Sequence, residues 1–358
     1  MQQVRPAAPQ LEGVEPYDPK YIPAEVMISA NENPRDVDLE IRREVEHAVR
    51  KVSLNRYPDP LANDLRDKIA EANGLDRDQV LLGNGGDELL FDFALAWGGP
   101  GRKFLNVPPT FSVYAYNALL TNTEVVEVPR RSDYSVDVDA VCERLAQGDI
   151  DFAIITSPNN PTGNLLTGGE VERILDASDA LVMIDEAYFE FSRFTVRPSL
   201  EKHENLIILR TFSKAFSLAG VRIGYVLGSA RVLDEFKKVR LPYSVDAVSQ
   251  AIAGVIYEHR AQFEKGVDEI VAERERVIEA LNAMDGVQAF PSSANYVLFR
   301  LDAARGIDGG DVWQRLLDAG VLVRDFSRTP RLENCLRVSI GSPEENTRFL
   351  EALNGILA

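Results

Sequence analysis

Hydrophobic positions along the chain change period twice. Between residues 39 and 52 apolar side chains recur at three-to-four spacing (Leu39, Val45, Ala48, Val49, Val52), and Leu65, Ile69 and Ala72 repeat it over residues 61–72. Both stretches predict amphipathic helices, because positions three and four apart share one helix face. Beyond residue 80 the pattern becomes short apolar runs at 80–82, 103–107, 125–128, 152–155, 181–184, 206–209 and 223–227. A strand without polar alternation is covered on both faces. Helix-length segments at 87–97, 112–120, 139–146 and 169–177 separate several of these runs. The alternation predicts an α/β fold with a mostly parallel, doubly wound sheet.

Around Leu241-Pro242-Tyr243 the strand series stops. A helical stretch follows over 248–284, interrupted only by Gly266, then a strand at 296–301, a helix at 311–319, strands at 321–323 and 336–340, and a last helix from Pro343. This predicts a smaller α+β domain. Before Val26 there is no period, only prolines (Pro6, Pro9, Pro16, Pro19, Pro23), so the start reads as an extended arm. The expected division is an arm over 1–30, a large domain over 31–240 and a small C-terminal domain over 241–358. The 269–279 region, with Arg274 and Arg276 among acids, reads as an exposed helix face with i,i+4 pairs.

Composition narrows the partners. The 358 residues carry 39 Lys+Arg against 56 Asp+Glu, a formal charge of −17. No basic run exceeds pairs such as Arg42-Arg43 and Lys237-Lys238, which excludes a phosphate backbone as partner. Cys142 and Cys335 are far apart and have no Cys or His at metal-ligand spacing, so they read as reduced thiols and no metal is expected. No apolar run reaches the roughly 18 residues of a membrane span, and Met1-Gln2-Gln3-Val4-Arg5-Pro6 does not read as a secretion signal; the expectation is a cytoplasmic protein. His47, His203 and His259 lie away from the strand ends and read as solvated or packed.

Ligands of open α/β sheets bind beyond the carboxyl ends of the strands, so the residues just after each apolar run matter most. The first run ends in Gly83-Asn84-Gly85-Gly86-Asp87 and then a helix, an arrangement whose backbone N–H groups suit a phosphate and also suit a plain tight turn. Another ends in Ser157-Pro158-Asn159-Asn160-Pro161-Thr162-Gly163, which holds two amide side chains at a strand mouth. A third ends in Asp185-Glu186-Ala187-Tyr188, a buried carboxylate with no basic residue in its own segment; a ligand nitrogen or a distant Arg could be its partner. The fourth is followed by Arg210-Thr211-Phe212-Ser213-Lys214, one lysine among apolar and hydroxyl residues. Such a lysine can have a lowered pKa and act as a Schiff-base nucleophile, or it can be an ordinary loop lysine.

Taken in order, Asn84-Gly85-Gly86-Asp87, Asn159-Asn160-Pro161-Thr162-Gly163, Asp185-Glu186-Ala187-Tyr188 and Ser213-Lys214 with Arg222 resemble the fold-type I pyridoxal-phosphate aminotransferases over almost the whole chain. Within that group, Ser29-Ala30-Asn31-Glu32-Asn33-Pro34, Arg56-Tyr57-Pro58-Asp59 and residues 213–220 look most like the histidinol-phosphate aminotransferases. The resemblance implies pyridoxal 5′-phosphate as cofactor and Lys214 as the catalytic residue that binds it covalently and moves a proton. It implies Asp185 on the pyridine nitrogen, Asn160 and Tyr188 on the ring's phenolate oxygen, and Phe111 stacked on the ring. Gly85, Gly86, Asp87, Thr211, Ser213 and Arg222 would hold the phosphate, with Tyr57 reaching in from the second subunit of a homodimer. Two departures stand out: Gly86 where a hydroxyl residue is common, and Ser244-Val245-Asp246 where Asn-Val-Asn is usual.

Arginine binds carboxylate or phosphate through a planar fork, and Arg324 and Arg337 are the candidates in the C-terminal part, each equally able to serve as a surface ion pair. The resemblance places both at the substrate's anionic end, with Tyr17 and Asn31 also at the substrate. It implies transamination between histidinol phosphate and 2-oxoglutarate. An aromatic amino-acid aminotransferase and a threonine-phosphate decarboxylase share these motifs.

Overall fold

The structure is a computed structural model and describes residues 5–12, 14 and 21–358. The chain runs through β1 (Val26–Met27), α1 (Leu39–Arg50), α2 (Asn63–Asn73), β2 (Val80–Asn84), α3 (Gly85–Trp97), β3 (Lys103–Asn106), α4 (Val113–Leu120) and β4 (Glu124–Glu127). It continues through α5 (Val138–Leu145), β5 (Phe152–Thr156), α6 (Gly168–Asp176), β6 (Leu181–Asp185), the single turn α7 (Phe189–Ser192), β7 (Leu206–Thr211), β8 (Ile223–Gly228) and α8 (Ala230–Val239). The last part is α9 (Ala247–Glu258), α10 (Glu264–Asn282), β9 (Val287–Ala289), β10 (Tyr296–Leu301), α11 (Gly309–Asp318), β11 (Val321–Leu322), β12 (Arg324–Asp325), β13 (Cys335–Ser339) and α12 (Pro343–Leu357).

Seven strands form one sheet in the order β2-β8-β7-β6-β5-β3-β4. The apolar runs do mark strands buried on both faces. Leu81, Phe104, Ile154, Met183 and Ile207 pack under α3, α4 and α8, while Leu82, Leu105, Ile155, Ile184 and Ile208 pack under α2, α5, α6 and α9. The sheet is mostly parallel, as the alternation implies, but β8 runs antiparallel to both β2 and β7. The link from β7 to β8 explains the reversal. Residues 212–222 contain only the short turn Ala219–Val221, and a parallel return needs a longer crossover, usually a helix.

A second sheet, ordered β12-β13-β10-β9, is covered by α10, α11 and α12. The end of the proline-rich segment joins this layer, because β1 pairs in parallel with β11 and the Ser339 amide donates to the Ile28 carbonyl at 2.9 Å.

Two expectations for the C-terminal helices need correction. The break in the 248–284 stretch lies at residues 259–263 and not at Gly266. Helix α9 buries Ala253, Ile256 and Tyr257 against the large sheet, whereas α10 buries Val267 and Ile270 against the second one, so the chain must turn between them. Gly266 stays helical, with open space where a Cβ would stand. The 269–279 region is also not simply an exposed face: Arg274 is buried and donates to the Ala294 carbonyl at 3.1 Å, and the region's ion pairs are Arg276 with Glu273, Arg274 with Glu275 and, from outside the region, Arg35 with Glu269.

Candidate functional site

Register sets the site. Thr156 lies opposite Asp185, Asp185 opposite Leu209, Thr211 opposite Gly224, and Ile223 opposite Asn84. The ends of β5, β6, β7 and β2 and the start of β8 therefore form one row, and the chemistry-bearing loops leave from it.

Asp185 is 4% exposed. Its Oδ2 accepts the Tyr114 hydroxyl at 2.5 Å and its Oδ1 accepts the Ala187 amide at 2.9 Å. Burial pushes its pKa up to about 6, against the lowering effect of those two hydrogen bonds. A phenol and an amide, rather than a cation, are its partners.

Lys214 follows β7, and its Nζ donates to the Ala30 carbonyl at 3.1 Å and lies 6.0 Å from the Tyr188 ring centre. Burial, and then the positive charge of Arg337, push its pKa down to about 8. A minor but usable fraction of the amine is therefore neutral near physiological pH, as a nucleophile or base requires.

Beside it, helix α3 begins at Gly85 with no side-chain cap. Arg222, in the left-handed conformation at φ 59°, bonds Asp87 Oδ2 at 3.0 Å through Nη2. Gly85 sits at φ 79°, and a Cβ there would stand 2.5 Å from Arg222 Nη2. A Cβ on Gly224 would stand 2.7 Å from the Gly86 amide nitrogen. Only glycines let β8, Arg222 and the helix start approach this closely. Gly86 is different, because the nearest atom to a Cβ there is 3.8 Å away. Thr211 and Ser213 are buried at the strand end, with Thr211 Oγ1 donating to Ser213 Oγ at 3.0 Å.

The second sheet closes the opposite side. Arg337, 6% exposed, donates to Asn160 Oδ1 and, at 2.7 Å, to the Ser29 carbonyl. Arg324 is its direct partner across the β12–β13 pair, so both arginines stand on one face of the sheet. Asn160 Nδ2 and Asn31 Nδ2 donate to the Tyr188 hydroxyl at 3.4 and 3.1 Å. Asn31 is buried, bonded to Ser339 through its amide and its side-chain oxygen, and so holds the Tyr188 phenol.

Phe111 lies edge-on to Tyr114, with ring centres 5.6 Å apart. Tyr57 is not drawn into this cluster within one chain: it is 81% exposed and stacks on Tyr243 at 4.6 Å. Tyr17 lies outside the described residues. Sequence reasoning missed Tyr114, whose signal is its position one helical turn after Phe111, and the buried Glu186–Arg210 pair at 2.9 Å behind the row. Among the described residues no three His, Cys, Asp or Glu side chains gather as a metal site, and no helix is long and apolar enough to cross a membrane.

A family model described as aminotransferase class I and II matches residues 25–353. The chain belongs to that family. The aminotransferase is 38% identical over 331 residues to histidinol-phosphate aminotransferase of Chlorobaculum tepidum, covering 92% of this chain and 94% of the relative. Its fold matches the histidinol-phosphate aminotransferase of Sinorhizobium meliloti solved with pyridoxal-5′-phosphate (TM-score 0.88, 23% identity, 99% and 98% of the two chains). It also matches L-threonine-O-3-phosphate decarboxylase of Porphyromonas gingivalis (TM-score 0.80, 26% identity, 93% and 99%). The α/β, fold-type I architecture expected from the strand-end motifs is thus the fold of this aminotransferase.

Proposed function

We propose that the aminotransferase moves an amino group from L-histidinol phosphate to 2-oxoglutarate, giving imidazole-acetol phosphate and glutamate, with pyridoxal 5′-phosphate as cofactor. The observation that carries this reading is the pairing of Arg324 with Arg337 on one sheet face, with Arg337 bonded to Asn160 and lowering the pKa of Lys214. Two forks side by side suit a phosphate or carboxylate held within reach of a partly neutral lysine.

The residues fit the cofactor. A buried carboxylate without a cation (Asp185), an uncapped helix start packed against glycines, and a lysine lowered to about 8 are what a protonated pyridine, a phosphate and an aldehyde respectively need. When bound, pyridoxal phosphate supplies the electron sink that acidifies the donor's Cα–H. Lys214 is then the base placed to take that proton and return it. Asp185 holds the ring nitrogen, Asn160 and Tyr188 face the ring oxygen, and Phe111 covers the ring. Gly85, Gly86, Asp87, Thr211, Ser213 and Arg222 receive the phosphate. Arg324 and Arg337 orient the substrate's anionic end, while Asn31 acts through Tyr188.

The working unit is a homodimer in which Tyr57 of a second copy completes the site. Leu54, Tyr57 and Leu241, all strongly exposed, are apolar area that a second copy would cover. The same reading moves the division between large and small domains from residue 241 to the turn at 259–263, because α9 packs on the large sheet, and has the enzyme in the cytoplasm, where unpaired Cys142 and Cys335 stay reduced.

Absorbance and half-reactions test this. The purified protein should carry a near-visible band that borohydride abolishes, with modification at Lys214, and absence of the band ends the cofactor assignment. Histidinol phosphate should bleach the band faster than phenylalanine. Preference for phenylalanine would move the enzyme to the aromatic aminotransferases, and carbon dioxide release from threonine phosphate to the decarboxylases.

A further inference from the structure

The geometry assigns Tyr114 a positioning role: its phenol fixes the Asp185 carboxylate and keeps it an anion at the cofactor's ring nitrogen. The assignment rests on the pyridoxal-phosphate reading above.

Proton bookkeeping gives the phenol one direction. Tyr114 is 1% exposed on α4, with its hydroxyl 2.5 Å from Asp185 Oδ2 and 2.6 Å from Thr156 Oγ1. Burial and the neighbouring carboxylate raise the phenol's pKa well above its ordinary value, so Tyr114 keeps its proton and points it at Asp185. Its oxygen must then accept from Thr156. Thr156 is able to give that proton, because Thr110, its other hydroxyl neighbour at 3.3 Å, spends its own on Asn159 Oδ1 at 2.8 Å. A directed chain Thr156 to Tyr114 to Asp185 results. With the Ala187 amide on Oδ1, both carboxylate oxygens are pinned and each keeps a lone pair for a ring N–H.

The other ionisable groups around the carboxylate do not replace this donor. Asp87 on α3 and Glu186, next along the chain, are acids that raise its pKa, and Glu186 is itself paired with Arg210. Tyr188 is held by the Asn31 and Asn160 amides, burial keeps the Tyr296 phenol protonated, and the charge of Arg130 is coupled to Tyr114 and Tyr296. A hydrogen bond to the charged form favours that form, so the phenol is what holds Asp185 ionised against burial.

Tyr114→Phe keeps the ring that packs on Phe111 and removes only the donor. In the holoenzyme it should move the acid limb of the pH profile up by about one unit and lower kcat about tenfold, with KM for the amino donor little changed. By fluorescence titration of the apoenzyme, affinity for pyridoxal phosphate should fall by a similar factor. Thr156→Val, one link back, should shift the limb the same way by less. In an Asp185→Asn background Tyr114→Phe should add nothing. A variant with wild-type cofactor affinity and acid limb overturns the assignment, as does an equal effect in the Asp185→Asn background, which would make Tyr114 a packing residue. Failure of the wild-type protein to bind pyridoxal phosphate would instead refute the function itself.

Discussion

Arg210→Met tests what holds the row of strand ends in register. Arg210 immediately precedes Thr211, and its partner Glu186 immediately follows Asp185, so the pair ties β7 to β6 beside two proposed cofactor contacts. The arginine donates to Glu186 Oε2 at 2.9 Å, Asn73 Oδ1 at 2.9 Å and Thr195 Oγ1 at 2.6 Å, and its guanidinium lies 3.9 Å from the Phe189 ring centre. Methionine keeps most of the aliphatic volume but leaves Glu186 buried without its cation. Removing one partner of a buried pair costs about 3–5 kcal/mol, mostly the desolvated charge left behind.

The loss should grow with pH. Glu190, already pushed up to about 8 by burial, loses the lowering charge of Arg210, so its folded pKa rises further above the unfolded one. Above about pH 8 the variant's folded state then binds more protons than the parent's, so the extra loss grows as pH rises through 8. Glu186→Gln should cost less, because Arg210 retains Asn73, Thr195, Phe189 and the nearby Glu190. Urea unfolding of the apoenzyme at pH 7 and pH 9, followed by tryptophan fluorescence, measures this. Trp97 reports on the large sheet, where it packs on Phe93 and Phe236, and Trp313 on the second core. A loss under about 1 kcal/mol, or one that does not change between the two pH values, refutes the reasoning, since a buried unpaired carboxylate must show both.

The glycines of the cradle should separate sharply: Gly224→Ala forces a methyl to 2.7 Å from the Gly86 nitrogen and should weaken cofactor binding at an overpacking cost of about 1–3 kcal/mol, whereas Gly86→Ser meets nothing closer than 3.8 Å and should bind at least as well in a fluorescence titration. Arg324→Met and Arg337→Met should each lower kcat/KM for a phosphorylated donor by about 1.5–3 kcal/mol per lost charge-assisted hydrogen bond, and an unchanged kcat/KM removes them from the substrate site. The rate at which apoenzyme takes up pyridoxal phosphate should rise as pH passes about 8, where Lys214 loses its proton, and in Arg337→Met that midpoint should move up because a repelling charge is gone.

The buried strands were legible because both faces are covered: Ile154, Met183 and Ile207 face one helical layer while Ile155, Ile184 and Ile208 face the other. The elements that escaped are those with no period to read. β1 is a two-residue strand held by its pairing with β11, which the apolar positions 321–323 did mark, and β12 is the polar pair Arg324–Asp325, positioned by its register with β13. Asp246, noted as a departure from the usual Asn, caps α9, accepting the Val248 and Ser249 amides at 2.8 and 2.9 Å and the Ser249 hydroxyl at 2.7 Å. A carboxylate does this as well as an amide, so the substitution needs no functional account. Strand-end residues announce themselves by position, but a partner such as Tyr114 is brought in by helix packing and is marked only by its spacing from Phe111.

The net charge of −17 now bears on the site in a specific way. A general negative field opposes an anionic cofactor and anionic substrates, so attraction must be short-ranged and set by backbone geometry. Two features of the fold supply it. The register of β12 with β13 puts Arg324 opposite Arg337, and a slip of one residue would send Arg324 to the other face. The glycines at 85 and 224 bring Arg222 and the uncapped start of α3 together, and there Asp87 pairs with Arg222. Placing like charges across a strand pair costs stability in the free enzyme, and an anion lying between them relieves that cost. After burial, Arg337 and to a lesser degree Arg222 lower the pKa of Lys214. Anion recognition and activation of the lysine therefore draw on one set of guanidinium groups, and a substitution there should alter both together.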